Sequence, residues 1–511
     1  MMRTGKQILA CAVLACALAF AAAVQPAAAA LAAVEEGAPA PAARTIPVAP
    51  VDPGSTAGRI VLGVADWLEQ RLGSGSQDVR LALDAPMWAE ERDGTYILHL
   101  PGARLVEPSV PLVQWALGDL AVAVKPQGET TYDFETTLPP VIDKGEERLT
   151  IGEGTVSGTW RSDLEVTTRL EASATNLRLS KGEGAAAVEA VSVGAITLAD
   201  EVAEGSDGLW DGLFSFALSD LAGESFHLGR LEASGSFEDF DRDLALHMHG
   251  DFGALTGGMG GPTALADLLT PLMDSHWGRS EMTIALHDLT ATGDDAGLGN
   301  GGTLSLGRLE WHVDLDGRAE LTDLATRIAA ADLRLGGAAA AEIPPALMPR
   351  AATLDIALTR LPVRRIADAL SGLAKRDGAA QFGDEPMMEV ILDHLDAADS
   401  TFEIRDIHIV TRSCEFRAEG RLQVEPASVF GVIGRLDARV RGLSALMALA
   451  VAEGEEDVVA LLIALQGLGR PVFEEGEDKP AYAFEIDLRR DGAVTVNGIP
   501  FDMLPGAPSP Q

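Results

Sequence analysis

FSFALSDL at Phe214–Leu221, followed closely by HLGRLEASGSF at His227–Phe237, decides how this chain is read. Phe214, Phe216 and Leu218 alternate with small or polar residues, so an extended strand here is apolar on one face only. The alternation stops at Leu221 and resumes beyond Leu228-Gly229-Arg230-Leu231. The same pair returns with different filler: MTIALHDL at Met282–Leu289 leads to SLGRLEWHVDL at Ser305–Leu315, and LDIALTRL at Leu354–Leu361 repeats the first member. At Gly229 and Gly307, and again at Gly194 in Val193-Gly194-Ala195-Ile196, the pattern halts at a glycine and resumes in shifted phase. A bulge or sharp bend does this, and it assigns these glycines special backbone angles. The common unit is a strand, a Leu-x-x-Leu corner, a variable excursion and a bent return strand. Serial addition of such units builds a long sheet with contacts mainly between neighbours.

The runs Leu120/Val122/Val124, Met282/Ile284/Leu286, Leu354/Ile356/Leu358 and Phe484/Ile486/Leu488 extend the pattern through the chain. One-sided alternation belongs to antiparallel sheets with one wet face, whereas parallel βαβ strands read as continuous apolar runs. The fold class is therefore mainly β: an elongated, curved antiparallel sheet of bent strand repeats with a few covering α-helices. Asp93-Gly94, Asp316-Gly317, Asp491-Gly492 and Asn497-Gly498 supply the positive φ values that tight hairpins need. Helical spacing is confined to the edges of this pattern. Ile60, Val64, Trp67, Leu68 and Leu72 place an amphipathic helix over Gly58–Leu72, capping the first strands. Leu265 to Met273 and Ile366 to Leu373 carry shorter helical stripes. Leu443, Leu446, Met447 and Val451, then Val458, Leu461, Leu462, Leu465 and Leu468, give a pair of helices joined at an acidic turn.

The N-terminus reads as an export signal. Arg3 and Lys6 precede an apolar run from Ile8 to Val24, then Gln25, Pro26 and an A-x-A site near Ala28–Ala30. Val13-Leu14-Ala15-Cys16 loosely resembles a lipobox, but Ala17–Ala23 continue the apolar run where a lipoprotein turns polar. The expected organisation is a signal peptide over 1–30, a Pro/Ala-rich tether over 31–57, a β-rich repeat-like domain over 58–505 with a sub-boundary near 342–352, and a tail over 506–511. Cleavage removes Cys11 and Cys16, which leaves Cys414 alone and no intramolecular disulfide. The expected compartment is the periplasm.

The formal net charge of −38 excludes nucleic acid as a partner and makes an anionic membrane surface repulsive. No G-x-S-x-G elbow, H-E-x-x-H helix, C-x-x-C pair, P-loop or dinucleotide fingerprint occurs. His247 and His249, two apart on a strand, share a face and form a metal candidate without an identifiable third ligand. Asp239, Asp241 and Asp243 resemble the start of a calcium loop, yet Leu244 and Gly250 stand where an EF-hand needs glycine and glutamate. No catalytic residue and no cofactor is assigned. Many strands sharing one apolar face, with few helices to cover it, point to an apolar ligand site. Leu443, Met447, Leu462 and Leu465 are the candidates for its groove or lid; the alternative is that two sheet layers cover each other.

FEIRDIHIVTRSCEFRAEGRLQV at 402–424, GRLDARVRGLSALMALA at 434–450 and YAFEIDLRRDGAVTVNGIPF at 482–501 resemble the closing region of a bacterial envelope family known as domain of unknown function 2125. The resemblance extends over Gly58–Leu504 as a strand-and-corner rhythm. That family is similar in pattern to AsmA-like envelope proteins, whose extended β-sheets are linked to lipid handling. The resemblance implies no catalytic residues. It implies a noncatalytic periplasmic protein that binds lipid or another apolar envelope component, or acts as a scaffold for envelope proteins. The alternatives are a periplasmic enzyme with a site assembled from distant strands, and an outer-membrane β-barrel, which would need aromatic girdles this chain lacks.

Overall fold

The computed structural model describes residues 46–72, 80–106, 114–164, 166–182, 187–205, 208–242, 278–293, 301–337, 340, 346–366, 368–369, 384–454, 456–473 and 480–500. The chain divides into two compact units, residues 1–258 and 259–511. The signal peptide, most of the tether, the Leu265–Met273 stripe and the tail lie outside the described residues.

Unit one begins with helix α1 (Thr56–Leu72) and continues as β1 (Arg80–Ala82), β2 (Trp88–Arg92), β3 (Thr95–Val106), β4 (Gln114–Pro126), β5 (Thr131–Thr137), β6 (Val141–Lys144), β7 (Glu147–Thr150), β8 (Glu153–Arg161), β9 (Val166–Lys181), β10 (Val188–Glu204), β11 (Trp210–Gly223) and β12 (Phe226–Phe240). Among the described residues, every pairing between these strands is antiparallel, and most strands lie beside their sequence neighbours in a meander. Three lanes are interrupted. β1 and β2 share one side of β3; β5 and β6 share the far side of β4; β8 and β7 continue that break to β9. The break after β5 falls at Leu138-Pro139-Pro140, where two prolines remove ladder donors.

Unit two repeats the meander with excursions. Its strands are β13 (Arg279–Thr292), β14 (Thr303–Asp316), β15 (Thr322–Ala331), β16 (Arg334–Gly336), β17 (Ala351–Leu361), β18 (Thr401–Val410), β19 (Glu415–Val424), β20 (Val432–Arg441), β21 (Arg470–Val472), β22 (Ala481–Leu488), β23 (Val494–Val496) and β24 (Ile499–Pro500). Helix α2 (Asp384–Ala397) sits in the excursion between β17 and β18. α3 (Leu443–Glu453) and α4 (Glu456–Leu468) fill the one between β20 and β21. Gly454 ends α3 in the left-handed region at φ 78°, and its N–H donates to Val451 O.

The bends fall where the repeats predict, but glycine is not the bent residue. The left-handed backbone belongs to Asn176, Asp220, Asp288 and Asp332, with φ between 51° and 58°, while Gly194, Gly229 and Gly307 have no positive φ. Register explains the pairing of types. Asn176 stands opposite Gly194, Asp220 opposite Gly229 and Asp288 opposite Gly307, each at a step the ladder skips. An Asx residue tolerates the left-handed region, and its side chain then turns over the adjacent strand. A Cβ on Gly194 would lie 2.9 Å from Asp220 Oδ2, and one on Gly307 would lie 2.9 Å from Asp332 Cβ. At Gly194 and Gly307 glycine therefore serves to leave space. The rest of Leu-Gly-Arg-Leu-Glu follows from period two, since Arg230 and Glu232 share the outer face and pair at 2.6 Å.

Several boundaries move. Ile46 is buried, its N–H donates to Glu69 Oε2 at 2.9 Å, and Val48 bridges to Met87. The folded region thus reaches into the segment read as tether, because Ile46 there meets α1 and Val48 meets Met87 just before β2. The sub-boundary near 342–352 is spanned by direct β15–β17 pairing, and the division into units falls at 258/259 instead. Asp93-Gly94 and Asn497-Gly498 make the positive-φ turns expected. Asp316 and Gly317 do not: Asp316 ends β14 and the Gly317 N–H donates to Gly278 O. Helix α2 was not anticipated, although Met388, Ile391, Leu392 and Leu395 carry helical spacing after an acidic first turn.

Candidate functional site

In unit one, α1 lies across the apolar face of the strands that follow it. Ile60, Val61, Ala65 and Leu68 are buried, and the helix packs against β1 and β2. Gly63 lets it come close: a Cβ there would sit 2.6 Å from Trp160 Cη2. Between helix and sheet remains a cavity of about 220 Å³.

Period two builds its walls. Leu98 and Leu100 of β3 point into it, as do Leu120, Val122 and Val124 of β4, one of the alternating runs visible in the sequence. Tyr132, Phe134 and Thr136 of β5 form the next row, and Val64 and Leu68 of α1 the roof. Leu120, Val122, Phe134 and Leu138 stay only half-buried, so solvent reaches the cavity from that side. Among the described residues, no Asp, Glu, His, Lys, Arg or Cys lines it.

The polar atoms of the lining are few and unequal. The Tyr132 hydroxyl donates to Glu129 O at 3.1 Å, and Thr136 Oγ1 donates to Ala121 O at 2.9 Å. Trp160 differs: only 8% exposed, with its ring 5.4 Å from that of Tyr132, it buries its Nε1–H without an acceptor among the described residues. A buried donor left unmade costs about 1–3 kcal/mol. The cavity can hold an apolar body, and Trp160 is one of its lining residues.

The residues singled out from sequence lie elsewhere. His247, His249 and Asp243 fall outside the described residues. Asp239 stands at the end of β12 with φ 59°, its N–H bonded to Asp211 Oδ1 at 2.9 Å, and Asp241 follows the strand. Among the described residues, no three His, Cys, Asp or Glu side chains converge on a point where a metal could sit. In unit two Leu443 is buried, and Leu446, Leu462 and Leu465 pack against Ala438, Phe484 and Val496 of the sheet. Met447 is half-buried on α3. These residues face the sheet of their own unit, whereas the apolar cavity is built from Val64 to Thr167 of unit one. Sequence reading reached α1 and the β4 run but not Trp160, because nothing in Gly158-Thr-Trp-Arg161 announces an indole without an acceptor.

Two arginine–carboxylate pairs mark the electrostatics of the outer surface. A hydrogen bond from Arg161 holds the Asp163 carboxyl below its ordinary range, and Arg318 does the same to Asp316. Among the described residues, no helix is long and apolar enough to cross a membrane. Residues 254–505 match a family described as an uncharacterized protein conserved in bacteria, DUF2125. The match covers less than the rhythm over Gly58–Leu504 implied, and leaves the unit-one cavity outside it. No curated protein and no solved structure matches the chain.

Proposed function

We propose that this chain, whose residues 254–505 match the bacterial family DUF2125, is an exported, noncatalytic envelope protein that binds an apolar ligand carrying a hydrogen-bond acceptor. The observation that carries this reading is an apolar cavity lined in part by Trp160, whose buried indole N–H has no acceptor among the described residues. A simple packing defect would leave apolar walls alone. The cavity of about 220 Å³ admits roughly seven methylene-sized groups at ~30 Å³ each. Their burial contributes roughly 5–6 kcal/mol at ~0.8 kcal/mol per CH₂, before the costs of binding. An acyl segment with an ester or carboxyl oxygen has that shape and that acceptor. The N-terminal run Ile8–Val24 and its A-x-A site support export to the periplasm.

The test is native mass spectrometry of the full chain purified without detergent, alongside displacement of a fluorescent fatty acid. Leu120→Trp fills the cavity from a half-buried wall position, and Trp160→Phe removes only the donor. The expected result is an apolar ligand on the wild-type protein, absent from Leu120→Trp and held several-fold more weakly by Trp160→Phe, with both variants folded by circular dichroism. Equal ligand load on wild type and Leu120→Trp would overturn the assignment to this cavity.

A further inference from the structure

Unit two carries a second hollow, at the sheet end where β17 finishes, β18 starts, β19 finishes, β20 starts and β22 finishes. It measures about 750 Å³ and is lined by Arg360, Arg421, Arg489 and Arg490. Such a gathering runs against the chain, which has 39 basic and 77 acidic residues. Asp399 lines it too, and Glu403 and Glu425 stand behind. The guanidinium groups still outnumber these carboxylates.

The arginines are held rather than scattered. Arg490 pairs with Glu425, whose side chain is only 13% exposed. Arg421 donates to Thr401 Oγ1 at 3.3 Å and stands 3.8 Å from Glu403. Arg360 donates through Nε to Ala398 O at 3.0 Å, and among the described residues its two terminal nitrogens have no acceptor. Arg489 has no side-chain partner among the described residues. Two of the four forks are therefore braced from behind, and two present free donors.

Arg360 also occupies an unusual backbone position. Its φ is 60°, and the other non-glycine residues described with left-handed backbone are all Asp or Asn. Arginine has no short side chain to ease that conformation. Asp323 Oδ1 accepts from its N–H at 2.8 Å and holds the backbone, which frees the side chain to serve the hollow.

We propose that this hollow binds a phosphate ester, its phosphoryl oxygens held by Arg360 and Arg489 with Arg421 and Arg490 beside them. Arginine forks match phosphate oxygens in pairs, which a lysine cannot do. The volume exceeds that of bare phosphate and lies within the range of small-ligand pockets, so the ester carries an organic body. A flat anionic bilayer is disfavoured as the source, because the net charge of −38 repels it.

The experiment is titration calorimetry on the full chain with glycerol 3-phosphate, with monomeric dihexanoyl phosphatidylglycerol, and with vesicles of mixed phosphatidylglycerol and phosphatidylcholine. Saturable binding of a soluble ester that weakens with salt is expected. Arg360→Asn combined with Arg489→Gln is expected to lower affinity about tenfold or more. Asparagine keeps a left-handed backbone accessible at 360; should that variant misfold, Arg489→Gln alone is expected to weaken binding several-fold. Tighter binding of the short-chain lipid that is weakened by Arg489→Gln and kept in Leu120→Trp assigns a lipid headgroup, and equal binding of the two soluble probes assigns a free phosphate ester. Binding to vesicles alone, no saturable binding to any probe, or affinity indifferent to Arg489→Gln would each overturn the proposal.

Discussion

Replacing Gly307 by alanine tests the crease directly. A Cβ at this position would lie 2.9 Å from Asp332 Cβ, 3.1 Å from Asp332 Oδ2 and 3.5 Å from Asp332 Cγ, and these are its three nearest heavy atoms. All belong to one side chain. Gly307 has no positive φ, so alanine brings no backbone strain of its own, and the cost is overpacking, typically about 1–3 kcal/mol. Asp332 has φ 58°, a conformation glycine adopts freely, so Asp332→Gly alone is expected to change stability by less than about 1 kcal/mol. In that background the three close atoms are gone, and Gly307→Ala is expected to cost less than about 0.5 kcal/mol. The double-mutant cycle should then show a coupling of at least about 0.5 kcal/mol. Urea unfolding of the four proteins, with the slope checked for constancy, measures it. An equal cost of Gly307→Ala in both backgrounds would refute the idea that glycine serves to admit the opposing aspartate.

Changing both Leu462 and Leu465 to Asp is expected to destabilise the sheet end they cover, since they pack half-buried against the cluster that holds Phe484 and Val496 and a charge there loses apolar contact and part of its hydration; unchanged near-ultraviolet dichroism and urea midpoint would contradict core packing and revive a lid. Asn497 accepts from the Glu485 N–H and donates to Leu468 O and Ala483 O at φ 51°. Asn497→Ala is therefore expected to cost about 2–4 kcal/mol in urea unfolding, and Asn497→Gly about 1 kcal/mol less, because glycine recovers only the backbone part. Asp163 and Asp316 have pKa values lowered in the fold by Arg161 and Arg318, so their contribution is present above the unfolded carboxylate pKa near ~4 and is lost as pH falls through the folded value. Both pairs are largely exposed, so acid-dependent melting should flatten only slightly in Asp316→Asn; a large flattening would show that the pair is shielded from solvent.

The fold was legible because its signals are local. Alternation at Phe214, Phe216 and Leu218 survives in β11, and the phase shift at Gly194 appears as burial at Val191 and Val193 followed by Ile196 and Leu198. Which residue carries the bend was not legible. A sequence shows that glycine recurs, but glycine serves both positive φ and close approach, and only register across two strands separates the uses. The same limit hid the sites. Trp160 matters because no acceptor among the described residues reaches its N–H, and the arginine hollow because five strand ends meet; neither circumstance leaves a mark in a one-dimensional pattern.

The repeats and the candidate sites therefore answer different physical demands. Leu-Gly-Arg-Leu-Glu recurs because each of its positions solves a problem of the sheet: an inward leucine, a gap for the neighbouring Asx side chain, and an outer ion pair. None of these duties needs a ligand. The apolar cavity forms where the meander is least regular, around the Leu138-Pro139-Pro140 break and beneath α1. The hollow forms where Arg360 stands in a backbone position elsewhere given to Asp or Asn. Local departures from a consistent pattern are where a fold gives up stability, and such departures concentrate at functional sites. In a chain this repetitive, Trp160 and Arg360 are worth mutating before any residue of the repeat itself, because the repeat already has a structural reason for each of its letters.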